Sequence, residues 1–199
     1  MRCVAAWVIS FALGCASGAS VAPRATPTPL TVVFQFDNPH SKKAFEEMKR
    51  ELGSIFKNAG IQIGWRDRDQ VSSSESFANL VVVKFRGACK MDPATDRDED
   101  SGPLAFTQTS EGAILPFSEV ECDRVRSSLR GAISGGDRAR SDLVFGRAMA
   151  RVLAHELYHV LAGTESHAAK GIAQRALSGS DLIGDQLELS QDELNSMHR

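Results

Sequence analysis

The chain has 199 residues, 42% of them hydrophobic and 24% charged, with a formal net charge of −2 at pH 7. That length suits one domain able to bury a proper core. Charges of both signs are scattered, which excludes the basic footprint of a nucleic-acid binder. Beyond the N-terminal leader, no apolar run reaches the roughly 18 residues that a membrane span requires.

Residues 1–22 read as an export signal. Arg2 supplies a short positive region, Val4 to Leu13 is apolar, and small residues from Gly14 to Ala22 suit cleavage after Ala16 or Ala19. Leu13-Gly14-Cys15 opens a second route, a lipoprotein anchored through acylated Cys15, although Ala12 stands where a lipobox has leucine. Either route places the protein outside the cytoplasm, secreted, periplasmic or membrane-anchored. Residues 23–30 form a linker, extended by the prolines from Pro23 to Pro29.

Leu30 to Phe36 alternates as a first strand. Asn38-Pro39 is placed to start a helix, with Asn as cap and Pro in the first turn. Its apolar stripe is Ala44, Phe45, Met48, Leu52, Ile55, Phe56 and Ala59, and Gly60 ends it. Ile61, Ile63 and Trp65 alternate as a second strand. Leu80 to Phe85, apolar except for Lys84, fits a central strand. The acidic stretch Asp92 to Asp100 mimics the start of a calcium loop, but Ser101 and Thr107 stand where glycine and the bidentate Glu belong. A solvated loop is the simpler reading.

Leu104–Thr107 and Gly112–Phe117 pattern as two strands joined by a polar turn, and Val120 to Leu129 as a short helix carrying Cys122. Outside the leader the cysteines are Cys89 and Cys122. A single pair in an exported domain most often forms a disulfide; the alternative is two buried thiols. Neither has metal-site spacing. Gly131 to Gly136 is a flexible connection.

Ser141 to His167 carries the chemistry. Apolar residues from Val144 to Leu161 recur at helical spacing, Ser141 and Asp142 suit the N-cap, and Gly163 offers a left-handed stop. Within this helix His155 and His159 lie about 40° apart on one face and about 6 Å apart along the axis, so both rings can reach one ion. Glu156 falls about 100° away, beside the ion, where a general base for an activated water belongs. Catalytic zinc takes three protein ligands and a water. His167 is the preferred third, which requires the helix to end at Gly163-Thr164, because a continuing helix would carry it about 12 Å beyond His159. Glu165 is the rival. Tyr158 reads as a packed residue before a substrate donor. His40 and His198 have no partner spacing. Ser190 to Glu193 starts a final short helix.

The run HELYHVLAGTESH resembles the metzincin branch of the zincin proteases, whose signature is H-E-x-x-H-x-x-G-x-x-H, with one extra residue before Gly163 and one after it. RVLAHELYHVLAGTESHAAKGIAQ and ILPFSEVECDRV at 114–125 are similar to a group of secreted bacterial zincin-like proteins. The resemblance implies an α+β, zincin-like domain over residues 31–199, with a mixed twisted sheet packed against a long helix and the metal-site helix. The β-α-β-β opening agrees with it. It implies that Ala113, Ile114 and Leu115 bind substrate backbone by strand addition; the alternative is an ordinary edge strand closed off by Pro116. It also puts Arg175 to Ser180 where a methionine turn passes beneath the metal, with Leu177 filling that volume. The activity implied is a zinc metalloendopeptidase acting on peptide or protein substrates. Its rivals are an exported non-catalytic zinc-binding domain and a metal hydrolase of another bond.

Overall fold

The computed structural model describes residues 28–91, 102–133 and 140–197. The leader, most of the linker, the acidic stretch, part of the connection after Gly131, and His198 lie outside the described residues. The elements in order are β1 (Thr28–Phe36), α1 (Lys42–Lys57), β2 (Ile61–Asp67), β3 (Leu80–Arg86), β4 (Ala105–Ser110), β5 (Ala113–Glu121), α2 (Cys122–Ser128), α3 (Ser141–Ala162), α4 (Gly179–Ile183) and α5 (Gln191–Met197). The strands form one mixed sheet in the order β2-β1-β3-β5-β4. All neighbours are parallel except β4, which runs antiparallel to β5 along the edge.

Alternation decides which face is buried. Leu30, Val32, Val81, Val83, Phe85 and Val120 point to the helical side and are almost fully buried. β3 takes the central position that its apolar residues suit, with Val81, Val83 and Phe85 buried and the residues between them half-buried. Glu111 and Gly112 both have positive φ, 52° and 79°, and close β4 and β5 into a tight hairpin.

Helix α1 begins later than Asn38-Pro39 suggests. Ser41 is the cap, its Oγ accepting from the Ala44 N–H at 3.2 Å, while the Asn38 amide donates to the Gly87 carbonyl at 3.4 Å. Both residue types can cap, and the tertiary contact decides between them. Thr28 and Pro29, assigned to the linker by composition, already pair with β2. Val120 and Glu121 close β5 instead of opening α2.

α3 is the central helix. It is buried on nearly every side from Phe145 to His159, which explains its lack of a polar face. α1 crosses it so closely that a Cβ at Gly146 would collide with the Ala44 carbonyl. Ser141 is its first helical residue, not its cap; Arg140 precedes it without a side-chain capping bond. Arg151, 1% exposed, leaves α3 to meet Glu51 of α1 at 3.1 Å and the Asp181 carbonyl of α4 at 2.7 Å. The Cys89–Cys122 disulfide is formed, with Cα atoms 5.0 Å apart, and fastens the end of β3 to the start of α2.

Candidate metal centre

The site is built on the last two turns of α3 and the chain that returns past it. Gly163 ends the helix in the left-handed conformation, φ 59°, and its N–H bonds the His159 carbonyl. A β-carbon there would be strained, so glycine makes the stop. The chain then doubles back, and the Thr164 carbonyl faces His159 Nδ1 at 2.7 Å. On the neighbouring turn, His155 Nδ1 faces the Ile172 carbonyl at 2.9 Å. Carbonyl oxygens only accept, so each Nδ1 carries a hydrogen, which in the neutral ring leaves Nε2 with its lone pair.

Those two Nε2 atoms lie 3.0 Å apart. Two lone pairs that close repel unless a metal ion or a shared proton lies between them. Two nitrogens on a tetrahedral zinc ion at its usual bond length would stand about 3.3 Å apart. His167 completes the group: its ring centroid is 5.2 Å from that of His155 and 4.9 Å from that of His159. The potential ligand atoms of the three histidines all lie within 4.8 Å of one another, and no other such cluster exists among the described residues. The donor set therefore fits a divalent ion of the zinc type. Glu165 lines the cleft but is exposed and outside this convergent group.

Electrostatics prepare two of the rings, His155 and His167, for a metal. Burial lowers the pKa of His155 to about 4, with the neighbouring histidines adding to the effect. His167 is lowered chiefly by burial, then by His159 and Arg175. Neutral imidazoles need not release a proton before taking a metal. Glu156 is buried beside them, and burial raises its pKa to about 7 against the opposing hydrogen bond from Thr107. Thr107 Oγ1 donates to Glu156 Oε2 at 2.7 Å.

A cleft of about 440 Å³ opens over the histidines, with Leu104, Phe106, Thr107, Ile114, Arg175 and Leu177 in its lining. Its strand wall is mainly β4. Of the two edge strands, β2 and β4, it is β4 that borders the cleft. Ala113, Ile114 and Leu115 lie in β5, where Ala113 and Ile114 pair with Ser110 and Thr109 of β4; of the three, Ile114 reaches the cleft. Beneath His155 runs Gly171–Ala173, while Arg175 and Leu177 border the cleft. Tyr158 is buried and absent from the cleft lining. His40 stacks on Phe36, remote from the metal centre in its contacts.

No protein-family model matches the chain, and no curated protein matches it. Among solved structures, archaemetzincin from Methanopyrus kandleri superposes with a TM-score of 0.54 at 10% sequence identity, over 90% of this chain and 98% of that one. The fold is thus metzincin-like: a mixed sheet, with the histidine-bearing helix packed against it and three histidines spaced as in H-E-x-x-H…H.

Proposed function

We propose that this protein is a zinc-dependent metallopeptidase, with His155, His159 and His167 as ligands and Glu156 as general base. The observation that carries the reading is the convergence of three imidazoles: the Nε2 atoms of His155 and His159 lie 3.0 Å apart, each ring fixed by a carbonyl at Nδ1, and His167 closes the triangle. A structural zinc site has four protein ligands, whereas three leave a position open to water.

Zinc held there would supply Lewis acidity, lowering the pKa of an adjacent water towards about 7 and polarising the substrate carbonyl. The chain's own groups do the rest. Glu156 has one carboxylate oxygen engaged by Thr107, and among the described residues its Oε1 has no hydrogen-bond partner. Oε1 takes the proton from the attacking water and returns it to the leaving amine. Burial raises the proton affinity of this carboxylate, which favours its taking up the proton of the water. A divalent ion nearby would draw that value down and keep Glu156 ionised before reaction. Substrate backbone would add along the free edge of β4, with Ile114 contributing its side chain from the next strand.

The site belongs to a single domain that begins with β1 at Thr28 and follows an export leader, as in the secreted zincin-like group that the sequence resembles. The disulfide supports the export reading, since such bonds persist in oxidising compartments. The N-terminal mass of the mature protein separates cleavage after Ala16 or Ala19 from acylation at Cys15.

The test is cleavage of a mixed peptide library by zinc-loaded protein, abolished by a chelator and restored by zinc. Glu156→Gln should retain stoichiometric zinc and lose activity by about 10²–10⁴-fold. Undiminished cleavage by that variant overturns the mechanism. Zinc binding without cleavage of any peptide points to another bond or a non-catalytic role.

A further inference from the structure

The metal reading leaves one buried carboxylate unused. Glu193 on α5 is 1% exposed, and no basic side chain is paired with it among the described residues. Its partners are backbone donors. Oε2 accepts from the Ser190 N–H, and the Ser190 hydroxyl accepts from the Glu193 N–H at 3.3 Å, a reciprocal helix cap. Oε1 reaches out of the helix and accepts from the Ala173 N–H.

Ala173 sits at the centre of the loop that serves the histidines. Its neighbour Ile172 offers the carbonyl that fixes His155 Nδ1 at 2.9 Å. Its own carbonyl accepts from the Ala168 N–H at 2.8 Å, and Ala168 directly follows His167. The loop therefore sets the ring of one histidine and the backbone beside another. Gly171 shows how closely the carboxylate approaches: it has φ 92°, and a β-carbon there would collide with Glu193 Oε2.

We propose that Glu193 is a positioning residue for the metal centre, clamping the Gly171–Ala173 turn so that His155 and His167 converge with His159. The proposal rests on the reading of these histidines as ligands. The C-terminal helix then closes the site from behind, although none of its residues lines the cleft. A second carboxylate oxygen is what lets one side chain cap α5 and hold the loop together. Glutamine has the same size but only one acceptor, and its NH₂ group would face one of the two N–H donors.

The experiment measures zinc affinity by competition with a chromophoric chelator in wild type, Glu193→Gln and Ser190→Ala. Ser190→Ala removes the hydroxyl half of the cap and leaves the bond to Ala173, so it controls for helix stability. Glu193→Gln should weaken zinc by about 10–100-fold, the range for groups that orient ligands, while Ser190→Ala changes it less than about threefold. A folded Glu193→Gln protein with wild-type affinity overturns the proposal. So does an equal loss in both variants, which would make the role one of general stability. Should Glu193→Gln fail to fold, Glu193→Asp carries the test: both acceptors remain but are drawn back from Ala173, and undiminished affinity again overturns the proposal.

A second readout needs no metal. In the zinc-free protein, nitrogen-15 spectra should show His155 as the Nδ1–H tautomer in wild type and Ser190→Ala, and as a mixture in Glu193→Gln. Failure of the wild type to bind zinc would sink the proposed function. The tautomer comparison would still decide whether Glu193 positions the ring.

Discussion

Thr107 of the edge strand and Glu156 of the central helix are joined by a hydrogen bond of 2.7 Å, and the same hydroxyl lies 3.3 Å from the Glu156 backbone carbonyl. One side chain thereby fixes both the register of β4 against α3 and the direction of the carboxylate. Hydrogen bonds to charged groups are worth about 1.5–3 kcal/mol. Thr107→Val removes the hydroxyl at nearly constant shape and should lower kcat by about tenfold or more with zinc content unchanged. Thr107→Ser keeps the hydroxyl and should recover most of the rate. Equal rates in the valine and serine variants would show that Glu156 is oriented by other contacts.

What the sequence could announce was whatever local geometry enforces. His155 and His159 share a face because any α-helix puts residues four apart there, and Gly163 ends the helix because its φ of 59° suits glycine. The stripe of α1 and the buried run of β3 were legible for the same reason. Pairing order was not. Nothing in Ala113–Leu115 states that β4 lies outside it, so the free edge passed to Ala105–Ser110. Thr107 looked like an ordinary strand residue, and the carbonyls of Thr164 and Ile172 carry no residue signature at all. Glu193 read only as part of a helix start; that its second oxygen reaches Ala173 depends on contacts across the fold.

The choice between His167 and Glu165 can be settled by metal analysis. His167 belongs to the convergent cluster, while Glu165 is exposed on the cleft wall. His167→Ala should therefore lower zinc from one equivalent to a small fraction at micromolar protein, and Glu165→Ala should retain it. Loss of zinc in the Glu165 variant alone would reverse the assignment.

His40 should make stability respond to mild acid. Its ring stacks on Phe36 with centroids 3.8 Å apart and meets Phe45 edge-on. Burial lowers its pKa from the ordinary 6.5; Lys42 adds to that, and Asp67 opposes it. The unfolded chain then takes up this proton more readily than the folded one. The contribution is fully present above the unfolded value and is lost as pH falls through the window below it. His155, lowered for the same reason, acts in the same window, so the slope of one protein alone is uninformative. In zinc-free protein, Tm should fall less steeply from about pH 7 to about pH 5 in His40→Gln than in wild type. Parallel slopes would show that this ring does not couple folding to protons.

The disulfide closes the segment that contains β4 and β5, and therefore the strand wall of the cleft. The sequence separation is 33 residues, and a loop of that order is worth about 3–4 kcal/mol in the chain-entropy model. A Cys89→Ser, Cys122→Ser double variant should melt roughly 10 °C lower, at about 2–4 °C per kcal/mol for a chain of this size. Thermal unfolding with and without reductant checks this: reductant should lower the wild-type Tm and leave the variant unmoved.

Arg151 presents a different problem, because it is a charge held at 1% exposure in the middle of the central helix, one turn before His155. Its guanidinium bonds Glu51 at 3.1 and 3.2 Å and the Asp181 carbonyl at 2.7 Å, joining α1, α3 and α4. Removing one partner of a buried pair costs about 3–5 kcal/mol, since the other charge is left without compensation. Arg151→Met should accordingly lower Tm by about 10 °C or more. Glu51→Leu on top of it should restore much of that loss, as apolar pairs of similar volume often match a buried ion pair. If the pair serves only stability, the double variant should also bind zinc as tightly as wild type. A double variant that regains its Tm while its zinc affinity stays low would show that the bond to Asp181 also places the chain returning past the histidines.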